Sequence, residues 1–325
     1  LLSKYLDENV DKKVIKILES YQKTINTLED VSDVKGIGKG SLERIEQFLK
    51  NGVFDELRES YLDSNTGTST STSTKQKTLS DLQRITGVGP VKAKVLFDGG
   101  FTLNDVLSMA KEELEEHFTH HQILGIKHFH DLETRIPRAE ITKIEKYLKT
   151  LCVKLDGCLH LDICGSYRRE KPESGDIDVL IYHEFLNTQD EVDEWDCQYL
   201  PEIITHLRKS RFLVDDLTIK GNTKYMGMCR IGKNPVRRID IRFIPKEALP
   251  SALLYFTGSG DFNKNMRTFA LKKGYTINEY GIFKTTKSGG KGPALKIKEE
   301  KDIFNILGLE WVHPRDRKGV FMFLS

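Results

Sequence analysis

The sequence predicts an α+β fold in which helical units lead and a sheet-bearing region follows. Three observations carry this expectation. Apolar residues in the first part recur at helical spacing around two Gly-x-Gly turns, segments near 159–163, 177–181 and 238–243 alternate with a period of two, and a polar run separates the first helices from the rest. At 325 residues there is room for about two to four domains and ample material for a core. Charged residues make up 30% of the chain, yet 50 Lys and Arg balance 48 Asp and Glu to a net charge of +2, so any surface for a polyanion must be a local patch. No apolar run reaches transmembrane length and the N-terminus lacks the apolar core of a signal peptide, so the expectation is a soluble, intracellular protein with no membrane partner. The five cysteines (Cys152, Cys158, Cys164, Cys197, Cys229) are scattered and never spaced Cys-x-x-Cys, which predicts reduced thiols and supports neither a disulfide framework nor a zinc site. The first residue is Leu rather than Met, as in a fragment of a longer chain.

Val10, Val14, Ile17, Leu18 and Tyr21 form one apolar stripe of a first helix. Behind it, Gly36-Ile37-Gly38 precedes Ser41, an N-cap, and a helix through Leu42, Ile45, Phe48 and Leu49. Ser64 to Thr78 is almost entirely Ser, Thr, Gly and Lys, too polar to offset its own ordering entropy, and reads as a flexible linker. The turn then recurs as Gly87-Val88-Gly89, opening a helix through Val91, Val95 and Leu96. Two such turns, each with an apolar residue between the glycines and a helix starting at once, have the shape of helix-hairpin-helix motifs whose backbone N–H groups face a DNA phosphate. Lys35, Lys39, Lys92 and Lys94 flank them and add salt-dependent attraction. His117, His120, His121, His128 and His130 match no common zinc spacing and read as exposed or phosphate-facing. After Pro137, a helix carries Ile141, Ile144, Tyr147 and Leu148.

The chemistry concentrates in the alternating region. Leu159, Leu161 and Ile163 alternate with polar residues and run into Gly165-Ser166, a turn able to aim N–H groups and the Ser166 hydroxyl at a phosphate. In Gly175-Asp176-Ile177-Asp178-Val179-Leu180-Ile181 the strand period puts Asp176 and Asp178 on one face. A second strand, Arg237 to Ile244, sets Arg238, Asp240 and Arg242 on one face and Ile239, Ile241 and Phe243 on the other. Three aspartates on neighbouring strands are what a two-metal clamp needs, because hard Mg²⁺ ions take oxygen ligands and bridge carboxylates to substrate phosphates. Further on, Tyr255 and Phe256 lie next to a Gly258 turn and could pack against a sugar, with Asn263 and Arg267 on a following helix that could face a base pair. Thr276 to Tyr280 reads as a strand and Lys287 to Lys291 as a Gly- and Lys-rich loop.

The runs Gly-Ser-Tyr-Arg-Arg, Gly-Asp-Ile-Asp-Val-Leu, Arg-Arg-Ile-Asp-Ile-Arg-Phe-Ile-Pro, and Tyr-Phe-Thr-Gly-Ser with Phe-Asn-Lys-Asn-Met-Arg closely resemble those of the X family of DNA polymerases, from about Leu79 to Arg317 and more loosely over the first residues. The resemblance implies an N-terminal lyase-like helix-hairpin-helix domain over 1–63, a linker over 64–78 and a second helical DNA-binding domain over 79–137. A nucleotidyltransferase palm with a mixed sheet over 138–246 and a small α+β nucleotide-selection lobe over 247–325 complete the implied order. It implies that Asp176, Asp178 and Asp240 hold two Mg²⁺ ions, with Mn²⁺ able to substitute, and that Asp240 takes the proton of the primer 3′-hydroxyl. Gly165, Ser166, Arg169 and Gly175 would hold the triphosphate of a dNTP. Tyr255, Phe256 and Gly258 would exclude a ribose 2′-hydroxyl, and Asn263 would meet the base. DNA contacts are implied at Arg238, Lys264, Arg267 and Tyr280, and through a monovalent cation (Na⁺ or K⁺) at Gly36, Gly38, Gly87 and Gly89; Arg242 would pair with a metal-binding aspartate in an open form.

Two departures stand out. Arg44 falls where lyase-active members carry a lysine, and a guanidinium cannot form a Schiff base, which counts against 5′-deoxyribose phosphate lyase activity unless Lys39 substitutes. Gly260 replaces an acidic residue that touches the incoming base. The expected function is gap-filling, templated DNA synthesis on gapped or nicked DNA, by a monomer in a repair setting with possible repair-protein partners, nuclear or, for a viral protein, cytoplasmic. A template-independent or RNA-tailing nucleotidyltransferase and a non-catalytic DNA-end scaffold are the alternatives.

Overall fold

The computed structural model describes residues 71–194, 198–218, 221–286 and 290–318, with Val31, Val34 and Leu42 besides. The expected first hairpin, including Gly36, Gly38 and Arg44, lies outside the described residues, as do linker positions 64–70. The chain divides into two compact units, Leu1–Leu82 with Pro90–Thr102, and Gln83–Gly89 with Leu103–Ser325.

In the first unit, α1 (Ser71–Gln83) corrects the linker expectation: residues 71–78 are helical. Thr74, Gln76 and Lys77 are exposed and Lys75 and Thr78 half-buried, but the turns extend N-terminally from buried Leu82, and adding a turn to an existing helix costs far less than starting one. The helix α2 (Pro90–Asp98) follows, burying Ala93 and Leu96 while Val91 and Val95 stay exposed.

The second unit opens with four short helices, α3 (Leu103–Leu107), α4 (Lys111–His117), α5 (His120–Lys127) and α6 (Phe129–Glu133). Thr119 and Gln122 form a capping box at the start of α5, and the Gln122 amide also donates to the Gly87 carbonyl at 2.9 Å, tying the second hairpin turn to this helix. His117, His120 and His130 are exposed as expected, while His121 and His128 are half-buried, and two of the five find partners on a distant strand. His128 Nε2 meets Asp215 at 2.6 Å with Lys127 on the same carboxylate, and His120 Nε2 meets the Asp216 carbonyl at 2.8 Å. These histidines pin α5 to a strand, a role no spacing along the chain reveals.

Next come β1 (Ile136–Pro137), α7 (Arg138–Leu155), β2 (Leu159–Ile163), α8 (Gly165–Arg168), β3 (Glu173–Ser174) and β4 (Ile177–His183). They are followed by α9 (Gln189–Glu194), α10 (Tyr199–Lys209), β5 (Leu213–Asp216), β6 (Lys224–Cys229) and β7 (Arg237–Phe243). Five strands form one sheet in the order β2-β4-β7-β6-β5, with β4 and β7 parallel and the other neighbours antiparallel. Ile141, Ile144, Leu148 and Cys152 of α7 and Leu200, Ile203, Ile204 and Leu207 of α10 bury one face of that sheet against Ile177, Val179, Ile181, Ile239 and Ile241. Truncating a fully buried isoleucine in such a core costs ~2–5 kcal/mol, so this face fixes the strand register. The opposite face is covered only in part, where Leu180, Ile244 and Cys164 meet Ala252.

The remaining lobe holds α11 (Leu249–Thr257), α12 (Gly260–Lys272), the antiparallel strands β8 (Tyr275–Asn278), β9 (Gly281–Thr285) and β10 (Lys291–Ala294), and α13 (Glu300–Leu307). Its own core gathers Leu254, Phe262, Met266, Ile277, Ile282, Ile303, Phe304 and Leu307. Ser259 caps α12, as its position ahead of polar residues predicts. No helix among the described residues is long and apolar enough to cross a membrane.

Candidate active site

The uncovered part of the sheet face carries the carboxylates. Asp178 on β4 is the direct parallel partner of Asp240 on β7, and Asp176 sits just before β4 on the same side. Neighbouring strands lie ~4.8 Å apart, so the two carboxylates cannot avoid one another. Burial pushes the Asp178 carboxyl up to about 7, and the charges of Asp176 and Asp240 add to the rise. Asp176 is raised as well, by burial first and against the pull of Arg238. Arg238 donates to Asp240 from Nε at 3.3 Å and Nη2 at 3.1 Å. Beside this pair stands His121, its pKa lowered by burial and then by Arg238.

The turn after β2 is one helical turn, α8, and it fits around Asp178. Gly165 has φ +56°, and a Cβ there would stand 2.3 Å from Asp178 Oδ2. Only glycine allows both the left-handed backbone and the carboxylate. Arg169 spans from this turn to the end of α11, donating to Ser166 Oγ at 2.9 Å and to the Thr257 carbonyl. Its pKa is lowered by burial, with Asp178 and Asp176 opposing. Gly175 is where the Arg135 guanidinium approaches: a Cβ would lie 3.0 Å from Arg135 Nη1. Arg135 carries no motif of its own, and its closeness to Asp176 becomes visible only when β1 pairs with β3.

Arg168, next to Arg169, faces the other way. It donates to Thr257 Oγ1 at 2.7 Å and to both Glu300 oxygens at 3.1 and 2.5 Å, while Arg317 Nη1 donates to Glu300 Oε1 at 2.9 Å. Arg317 is fully buried and lies over the rings of Phe262, Phe304 and Trp311. Glu300 and Arg317 carry no local motif, and sequence reading missed both.

At the other edge of the site, Tyr255 and Phe256 stand edge to face at 5.1 Å, and the Arg242 guanidinium lies 5.6 Å from the Phe256 ring centre. In this structure the ion pair to Asp240 is therefore made by Arg238, with Arg242 turned to an aromatic face. Gly258 has φ +66° and approaches Arg169, with a cis peptide to Ser259. Asn263 Nδ2 donates to the Tyr255 carbonyl at 2.5 Å, and Leu254, Tyr255, Asn263, Met266, Arg267 and Ile277 line one concavity. Lys264, Arg267 and Gly260 are exposed along α12. Tyr280 is 49% exposed in a turn after β8, closed by Asn278 Oδ1 accepting from the Tyr280 and Gly281 amides, rather than within the strand. In the second unit, Gly87 has φ +90°, and the turn is closed by the Val88 amide donating to Ile85 O at 2.9 Å.

Comparison with known proteins accounts for the same segments. A family model for the DNA polymerase beta palm matches residues 135–246, one for the DNA polymerase beta thumb matches 252–318, and one for the fingers domain of DNA polymerase lambda matches 80–133. DNA polymerase lambda of Arabidopsis thaliana is 30% identical over 322 residues, covering 94% of this chain and 56% of that protein. DNA polymerase lambda of Rattus norvegicus is 30% identical over 318 residues, covering 94% of this chain and 51% of that protein. The chain thus spans about half the length of the curated relatives it matches. With fingers, palm and thumb matched in that order along one chain, it belongs to the X family of DNA polymerases.

Proposed function

We propose that this chain is a gap-filling, DNA-directed DNA polymerase that adds a deoxynucleotide to a primer 3′ end and releases pyrophosphate. The observation that carries the reading is the side-by-side register of Asp178 and Asp240 with Asp176 adjacent, facing the α8 turn. Three carboxylates held this close repel one another, one being pushed up to about 7, and their hard oxygens fit Mg²⁺, with Mn²⁺ as a substitute. When bound, such cations neutralise phosphate charge and lower the pKa of the attacking hydroxyl.

The chain's own groups do the rest. The Ser166 hydroxyl, the backbone after Gly165 and the Arg169 guanidinium hold the triphosphate, Arg169 exchanging its bond to Ser166 for phosphate oxygens. Asp240 accepts the proton of the primer 3′-hydroxyl as that oxygen bonds to the α-phosphorus and the bond to the pyrophosphate oxygen breaks. For this, Arg238 must release Asp240, which couples base availability to substrate arrival. Tyr255 and Phe256 pack against the sugar, Asn263 turns from the Tyr255 carbonyl to the base, and Arg267, Lys264 and Tyr280 contact DNA from their exposed positions. The Gly87–Gly89 backbone binds DNA through a monovalent cation. Gapped DNA, dNTPs and a nuclear repair setting belong to the same proposal.

The test is single-nucleotide extension of a labelled primer on one-nucleotide-gapped DNA with Mg²⁺, each dNTP supplied separately, beside Asp240→Ala. The expected result is incorporation of the complementary nucleotide alone, reduced by at least ~10³-fold in the variant, about 4 kcal/mol of transition-state stabilisation, with gapped-DNA binding retained. Untemplated addition would make the chain a tailing enzyme, and no addition by either protein a DNA-end scaffold.

A further inference from the structure

At the far end of β4, five residues and ~16 Å from Asp178, three side chains converge that the polymerase chemistry does not use. Asp156 caps the C-terminus of α7, Cys158 precedes β2, and His183 ends β4. They meet because β2 pairs with β4, placing Leu159 opposite His183 and letting the Glu184 amide donate to the Cys158 carbonyl at 3.0 Å. One ligand atom from each of the three lies within 4.8 Å of the others. We infer that Asp156, Cys158 and His183 form a zinc site, distinct from the catalytic carboxylates, that staples α7, β2 and β4.

The geometry is close to what zinc requires. Ligands at ~2.0–2.1 Å (nitrogen and oxygen) and ~2.3 Å (sulfur) from a tetrahedral ion stand ~3.3–3.6 Å apart. Asp156 Oδ2 and His183 Nε2 already stand at 3.4 Å, long for a hydrogen bond and right for two ligands sharing an ion. Neighbours hold the ligands in place. Asp156 accepts from the Tyr199 hydroxyl at 2.7 Å and from the Cys158 amide at 2.8 Å, and the buried His183 ring stacks on Tyr199 at 5.3 Å. Asp156 is 29% exposed and leaves a way in, with water or Glu184 available as a fourth ligand. Binding releases the Cys158 proton to solvent. It also puts the imidazole proton on Nδ1, so the Phe185 amide, which now donates to Nδ1 at 3.2 Å, must turn to water; Phe185 is 66% exposed and free to do so.

The full chain, stripped with EDTA and held in excess Mg²⁺, is titrated with Co²⁺ and then Zn²⁺ while absorbance and Tm are followed. The expected result is a thiolate-to-cobalt charge-transfer band saturating at one equivalent, displacement by Zn²⁺, and a Zn²⁺-dependent rise in Tm. Cys158→Ser should lose the band and bind Zn²⁺ at least ~10-fold more weakly, with Mg²⁺-dependent primer extension unchanged. Asp156→Asn should keep the band and weaken binding. The oxygen-only catalytic site cannot produce this band, so failure here leaves the polymerase reading untouched. Absence of the band in the unmodified chain, or its persistence in Cys158→Ser, would overturn the inference and leave a metal-free Asp156–His183–Tyr199 network.

Discussion

Arg168 and Arg169 are neighbours in sequence, yet they serve two charge clusters built on opposite plans. Arg169 belongs to the proposed catalytic face, where Asp176, Asp178 and Asp240 crowd together and Asp178 is pushed up to about 7. Arg168 belongs to the junction of palm and thumb, where Glu300 is gripped from both sides by Arg168 and Arg317 and every one of its oxygens is used. One cluster crowds three carboxylates among Arg238, Arg169 and Arg135 and is the one proposed to take cations and phosphates; in the other, the protein itself pairs Glu300 with two arginines. The difference teaches how to tell a working site from a structural one in this molecule. Both bring like charges close together, but at the junction Glu300 stands between the two guanidinium groups, whereas Asp176 and Asp240 push the Asp178 carboxyl up, a repulsion that a cation can relieve.

That contrast breaks most visibly at Asp178. Asp178→Asn should reduce gapped-primer extension by at least ~10³-fold and, without divalent cation, raise Tm, because it removes repulsion. A fall in metal-free stability would mean the face is balanced after all. At the junction the sign reverses. Glu300→Gln leaves the buried Arg317 and the half-buried Arg168 guanidinium groups without this counter-charge and should cost ~3–5 kcal/mol in denaturant unfolding; an unchanged midpoint would reduce the junction to a surface contact. The next effect is on pH dependence. Asp178 holds its proton to higher pH in the folded chain than when unfolded, so its contribution to stability is present below the ordinary carboxylate range and is lost as pH rises through about 7. Metal-free stability should therefore fall by ~1–3 kcal/mol between pH 5 and 8, a slope that excess Mg²⁺ or Asp178→Asn abolishes. The smallest effect is one of selectivity. Tyr255→Ala should raise ribonucleotide incorporation by ~10-fold with little change for the correct dNTP, measured as the ratio of kcat/KM values. An unchanged ratio would remove Tyr255 from the sugar contact.

Much of the palm was legible because strand alternation is a local property. Leu159, Leu161 and Ile163 are buried as their spacing predicts, and Arg238, Asp240 and Arg242 alternate with buried Ile239, Ile241 and Phe243. Arg237 broke the pattern of reading charge as exposed: it is buried against Glu140, with two bonds at 2.9 Å, across 97 residues of chain. The polar run ending at Thr78 misled for the opposite reason, since composition measures what a segment can bury and not which helix it extends. His128 misled because its partner, Asp215, comes from a strand more than eighty residues away.

The sequence by itself determined which residues share a face, which turns need glycine, and that three carboxylates would be available for cations, because strand period, left-handed backbone and acid chemistry are written residue by residue. Only the tertiary structure decided which residues stand side by side. Parallel pairing set Asp178 against Asp240, packing of Glu300 against α8 placed it between Arg168 and Arg317, and pairing of β2 with β4 gathered Asp156, Cys158 and His183. The reason is physical: charge repulsion, ion pairing and metal affinity depend on distance through space, and register is fixed by the buried face beneath, not by the residues that profit from it.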